Sequence, residues 1–194
     1  PNGAIPGATI RAEVNPQDSH FARTSLICVE DTVNKGGGAV QSTSTLDEGA
    51  AACEEVGLPF HLDGARAWNA LRETGEDWTT YGRRFHSISL CLSKGLGTPV
   101  GSVLLGSKSF IEEAHRTRKV MGGGMRQVGL LAAAGLYALD HHFDRLAEDH
   151  RRAKEIGVQL AAHPQVESVA PVETNIVIAT LVDGRTAEEF VAQQ

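Results

Sequence analysis

Two apolar runs constrain this chain more than any other feature, because each stops at one ionisable residue among small neighbours. SISLCLSKGLGTPVGS, residues 87–102, stops at Lys94, and PFHLDGAR, residues 59–66, stops at Asp63. A short apolar run ending in glycines is the pattern of a buried strand that feeds a loop. Two such strands present an amine and a carboxylate at their C-terminal ends, where open α/β sheets build their sites. Gly95, Gly97 and Gly101 permit the turns and the close ligand approach that such a site needs.

Strands alternating with helical segments predict an α/β fold, a mostly parallel sheet sandwiched by helices. Residues 25–30, 59–62, 87–92 and 101–105 read as strands. Residues 46–56, closed by Gly57, read as helix, as do 65–73 and 109–120, the last opened by Ser107 or Ser109. The glycines at 122–124 break the pattern, and one long helix is expected from about Arg126 to Ala162, bent near His141 and His142. Residues 1–24, rich in Pro, Gly, Asn and Asp, read as loops. Residues 166–170 and 175–181 are strand-like and open a smaller α+β region. The expected division is a large domain over 1–139, then a linking helix and the start of a small C-terminal domain over 140–194. Neither end of the sequence reads as a natural boundary, so the chain is expected to be a fragment.

With 194 residues, 41% of them hydrophobic, the chain can bury one sizeable core. A net charge of −6 gives no reason to expect nucleic acid or an anionic membrane as partner. No apolar stretch approaches the ~20 residues that span a bilayer, and PNGAIPGATIRAEV lacks the pattern of a signal peptide. Cys28, Cys53 and Cys91 are odd in number and lack CxxC spacing, so they are expected to be buried free thiols in a reducing, cytoplasmic setting.

A desolvated lysine suits Schiff-base chemistry, because loss of solvent frees the amine as a nucleophile. A buried aspartate suits the partner role, holding a proton on a pyridine nitrogen so that the ring stays an electron sink. Together Lys94 and Asp63 point to pyridoxal 5'-phosphate (PLP). Each also has a plain alternative: a solvated loop lysine, and a cap for a helix starting at Gly64 or Ala65.

HLDGARAWNA, SLCLSKGLGTPVGS, FIEEAHRTRKVMGGGMRQ and LLAAAGLYALD together resemble the low-specificity L-threonine aldolases, in the β-eliminating lyase group of fold-type I PLP enzymes. The resemblance covers about residues 18–183. It implies that Lys94 carries the cofactor as a Schiff base and that Asp63 partners the pyridine nitrogen. Arg66 matches the arginine that lies against the cofactor ring and the substrate carboxylate, and would otherwise read as a helix-surface residue. His20, in DSHFAR, matches a histidine near the substrate hydroxyl, where an imidazole can act as general base. A water is the alternative base. Lys119 and Arg126 flank the triple glycine, which the resemblance places near the cofactor phosphate or the entrance of a neighbouring subunit's site. His141, His142 and His150 lack a supporting carboxylate set and read as solvated or interface residues, so no metal is expected.

The resemblance implies cleavage of L-threonine or L-allo-threonine to glycine and acetaldehyde, by a homodimer or homotetramer with shared active sites. The chain departs from the family in reading EDTVN where ENTHN is common, so Val33 replaces a histidine or another polar residue. Extra residues at 36–38 lengthen the following loop. The family's N-terminal third, which supplies a glycine–threonine phosphate cup and a ring stacked on PLP, is missing. Its small-domain arginine for the substrate carboxylate would lie beyond Gln194. Alternatives are a racemase or a β-elimination lyase of the same fold, or an incomplete fragment that needs a partner chain.

Overall fold

The computed structural model describes residues 3–184 and 186–191. Helix α1 (Gly7–Glu13) precedes strand β1 (Ile27–Glu30), helix α2 (Thr43–Val56) and strand β2 (Phe60–Gly64). Two short helices, α3 (Ala67–Thr74) and α4 (Trp78–Gly82), lead to β3 (Ser87–Cys91) and β4 (Ser102–Gly106). Helices α5 (Lys108–Val120), α6 (Gly129–His141) and α7 (Leu146–Ala161) follow. The chain continues through β5 (Val166–Val169), β6 (Ala179–Leu181), a 3-10 turn (Val182–Gly184) and α8 (Ala187–Val191).

The main sheet has the order β1-β2-β3-β4. The β1–β2 and β2–β3 pairings are parallel and β3–β4 is antiparallel. Register places Val29, Leu62 and Ile88 side by side on one face, and Glu30, Asp63 and Ser89 on the other. The first face is covered: Val29, Phe60, Leu62, Ile88 and Leu90 pack with Leu46 and Cys53 of α2, Trp68 and Leu71 of α3, Ala138 of α6 and Leu146 of α7. Burying a side chain such as Phe60 or Leu62 contributes about 1.5–3 kcal/mol, so this layer fixes the sheet that carries the site. A second sheet pairs β5 with β6 antiparallel. Among the described residues no helix is long and apolar enough to cross a membrane.

Helix α2 forms where its ends are capped and its apolar positions recur. The Ser42 hydroxyl accepts from the Thr45 N–H at 3.1 Å, and Gly57 closes the helix in the left-handed region at φ 67°. Leu46, Gly49, Ala52 and Cys53 form its buried stripe.

Several expectations are corrected. Residues 1–24 are not all loop, since α1 buries Ile10 against α2 and the sheet edge. Helix α4 lies where no element was expected, opened by Asp77, whose carboxylate accepts from the Thr80 N–H at 2.8 Å. The long helix after Arg126 is two helices, because residues 142–145 form tight turns in which Arg145 bonds back to His142 and Leu146 to Phe143. Only residues 179–181 of the last strand-like run pair as strand. The cysteines are all free, but Cys28 is exposed and Cys91 half-buried, because they lie on the sheet face opposite the core.

Candidate active site

Strands β2 and β3 bring Asp63 and Lys94 to the same edge of the sheet. Asp63 is the penultimate residue of β2, paired in register with Ser89, and Lys94 follows the end of β3 by three residues. Both are exposed, not buried as the sequence suggested. The strand period is the cause: Leu62 and Gly64 point into the core, so Asp63 faces the other way. One Asp63 carboxylate oxygen accepts from the Ala65 N–H at 3.2 Å, while the second has no donor among the described residues. Arg66, half-buried, is the residue from which α3 starts, so one turn joins it to Asp63.

The Lys94 loop closes on itself. The Leu92 N–H donates to the Gly101 carbonyl at 2.9 Å, the Thr98 N–H to the Leu92 carbonyl at 3.2 Å, and the Gly97 N–H to the Lys94 carbonyl at 2.8 Å. Gly97 sits at φ 72°, which a side chain would disfavour. Leu96 is buried and pins the loop to the core, and the Trp68 indole N–H holds the Cys91 carbonyl at 3.0 Å. A rigid turn thus carries an amine that makes no ion pair among the described residues.

Beside this edge lies a buried acid that the sequence reading passed over. Asp31 follows β1, and its N–H donates to the Asp63 carbonyl at 3.1 Å. Its carboxylate accepts from the Tyr81 hydroxyl at 2.7 Å and the Gln41 N–H at 3.1 Å. Burial raises its pKa to about 6, against the opposing pull of those two bonds. The Tyr81 phenol is pushed upward as well, by burial and then by the Asp31 charge. The available signal was position, since Asp31 ends β1 at the edge where Asp63 ends β2.

His20 and Arg126 stand apart from this edge. The His20 imidazole Nδ1 lies 2.6 Å from the Asp18 carboxylate, which the His20 N–H also reaches at 2.8 Å. Neighbouring Asp18, Ser19 and Phe21 line an open cleft of about 690 Å³ with Val56, Gly57 and Pro59. Pro59 precedes β2, so this cleft lies at the opposite end of that strand from Asp63, four residues or roughly 13 Å away along the strand. Arg126 is exposed between α5 and α6. Just before it, His115, Arg116, Arg118 and Lys119 share a cleft of about 470 Å³ with Gly123 and Gly124. These glycines follow the end of α5; they do not open α6.

His150 is also corrected, being buried instead of solvated. Its Nδ1 lies 2.9 Å from a Glu73 carboxylate oxygen and its Nε2 lies 3.1 Å from the Asn69 amide nitrogen. Burial alone would raise the Glu73 pKa, but bonds from Lys154 and His150 hold it below its ordinary value. The missed signal was helical spacing, because Leu146, His150, Ala153 and Gly157 form one buried face of α7.

The donor set fits a pyridoxal-type group. A free carboxylate oxygen suits a protonated ring nitrogen, an unpaired amine suits an aldehyde carbon, and a guanidinium suits an anionic substrate.

The family described as beta-eliminating lyase matches residues 1–183. A low specificity L-threonine aldolase of Escherichia coli is 44% identical over 159 residues, which are 82% of this chain and 47% of that relative. Low-specificity L-threonine aldolase 1 of Arabidopsis thaliana is 41% identical over 180 residues, 91% of this chain and 50% of that relative. Among solved structures, a threonine aldolase of Leishmania major aligns with a TM-score of 0.75 at 20% identity, over 92% of this chain and 53% of that one. That likeness speaks for the fold alone. The chain spans about half the length of the curated relatives it matches.

Proposed function

Because this chain belongs to the beta-eliminating lyase family, we propose that it carries part of a PLP-dependent aldolase site. The substrates would be L-threonine and L-allo-threonine, cleaved to glycine and acetaldehyde. The observation that carries this reading is the placement of Lys94 and Asp63 at one edge of adjacent parallel strands. PLP bound there supplies an electron sink for the pair released when the Cα–Cβ bond breaks. Lys94 would hold the cofactor through its amine and release it to the incoming amino acid. Asp63 would keep a proton on the pyridine nitrogen. Arg66 would orient the substrate so that the breaking bond stands perpendicular to the ring.

The hydroxyl proton would pass to His20 or to a water it orients. His20 lies beyond the far end of β2 from Asp63, which favours its service at the site of a neighbouring copy. A homodimer or homotetramer with shared sites follows from this reading, with Arg126 reaching the cofactor from the same kind of contact. The proposed setting is the cytoplasm, in keeping with three free cysteines.

A specific observation favours completion of the site by further polypeptide. Asp63 and Lys94 are exposed, and all five residues of β4 are exposed, including Val103, Leu104 and Leu105. Apolar strand edges of this kind are rarely left open. Full aldolase activity is therefore expected only with the remaining half of the relatives' length present.

The test is incubation with PLP, borohydride reduction and peptide mapping, followed by assay of glycine and acetaldehyde from threonine. A pyridoxyl group concentrated on Lys94 supports the reading. Equal labelling of Lys35, Lys94, Lys108, Lys119 and Lys154 in a folded chain would sink it.

A further inference from the structure

The turn between α6 and α7 reaches the Lys94 loop. His142, half-buried there, places its Nδ1 2.7 Å from the Leu96 carbonyl oxygen. Only an Nδ1–H can donate to that carbonyl, so this contact sets which ring nitrogen holds the proton. The Leu96 side chain is buried, so its carbonyl cannot readily turn to solvent. A side chain on Gly97 would have the His142 Nδ1 as its nearest atom, at 3.8 Å. Gly95 rests on α7 and α3: a Cβ there would lie 2.7 Å from Leu146 of α7 and 3.5 Å from the amide oxygen of Asn69 of α3. That Asn69 is the residue bonded to His150 of α7. The loop is thus seated on the α6–α7 turn, with Leu96 as the plug and His142 as the polar tie.

We propose that His142 is a positioning residue for Lys94: by holding the Leu96 carbonyl it fixes the turn at 94–97 that carries the amine at the same end of the sheet as Asp63. This rests on the reading of Lys94 as the cofactor lysine. His142 would act through the turn and not by contact with cofactor or substrate. It acts by limiting the conformations open to the turn, which is how supporting contacts keep a reactive group in productive geometry. An amide donor of similar reach can replace an imidazole Nδ1–H in this role, whereas an alanine cannot.

The test uses the full chain as parent, His142→Ala, His142→Asn and, as a control at an exposed neighbour, His141→Ala. Two quantities are read: amide hydrogen exchange at Gly97 and Thr98, which report the closed turn without any cofactor, and the rate of borohydride-trapped PLP addition at Lys94 relative to Lys35. Loss of one tie to a buried carbonyl should speed exchange about tenfold and slow trapping at Lys94 by a similar factor. His142→Asn should recover most of both, and His141→Ala should change neither. Unchanged exchange and trapping in His142→Ala would overturn the proposal. So would altered exchange with unchanged trapping, since the turn would then loosen without moving the amine. A parent chain not labelled at Lys94 would overturn the cofactor reading and this role with it, and the exchange data would show separately whether the tie exists.

Discussion

The Tyr81 hydroxyl donates to the Asp31 carboxylate across 2.7 Å with both side chains buried, so α4 is bolted to the end of β1 through a group that titrates. Burial moves the Asp31 pKa from 3.8 to about 6. The folded chain therefore binds this proton more tightly than the unfolded chain does. Between those two values the folded state holds the proton and the unfolded state has lost it, so stability falls as pH rises. The contribution is fully present below pH 3.8 and gone above about 6. One proton over this window changes stability by about 1.4 kcal/mol per pH unit at most. Urea unfolding at several pH values, compared with Asp31→Asn, separates the Asp31 contribution from that of the other carboxylates. The parent is expected to lose stability relative to Asp31→Asn between pH 4 and pH 6, and parallel curves would refute the buried ionisation.

Asp63 has a different expected signature. Asp63→Ala should weaken PLP retention and slow threonine cleavage by about ten- to hundredfold, the worth of one charge-assisted bond to the ring nitrogen. Because its side chain is exposed, the thermal midpoint should barely move. Parent-like activity in a reconstituted enzyme would mean that another group protonates the ring.

The strands and their ends were legible because a buried strand needs apolar residues and a loop at a sheet edge needs glycine. Lys94 and Asp63 therefore stand out in the sequence. Their exposure was not legible, since PFHLD reads as an apolar run whichever face of β2 is covered. The break between α6 and α7 was hidden for a related reason. GLLAAAGLYAL is apolar on every side, so it offers no stripe whose phase could jump at residues 142–145. Helix α1 was obscured by Pro6 and Gly7, although proline just before a helix is a start signal. The Asp31–Tyr81 pair spans 50 positions, and no local pattern announces it.

His150 is expected to be among the costliest polar residues to remove. His150→Ala would leave the buried Asn69 amide without its partner, at about 1–3 kcal/mol for a buried polar group stranded. Glu73 is exposed and still meets Lys154 at 2.9 Å, so its carboxylate turns to water and adds little to the loss. Chemical denaturation gives the number directly, and a loss under about 0.5 kcal/mol, typical of surface changes, would show that the network is not structural.

Gly95 separates the demands of space from those of backbone conformation. It is not in the left-handed region, so alanine is allowed by its dihedral angles. The added methyl would nevertheless lie 2.7 Å from Leu146 Cδ2, and Leu146 is buried at 1% exposure with little room to yield. Overpacking of this kind costs about 1–3 kcal/mol. Gly57→Ala provides the contrast, having no atom within 4 Å of its new methyl but a φ of 67°, where the cost is about 1–2 kcal/mol of backbone strain. Both variants should therefore unfold earlier than the parent. Only Gly95→Ala should also slow trapping of PLP at Lys94, because its clash displaces the neighbouring residue of the turn, whereas Gly57 closes α2. Equal trapping by the two variants would show that the Lys94 loop does not depend on its seat against α7.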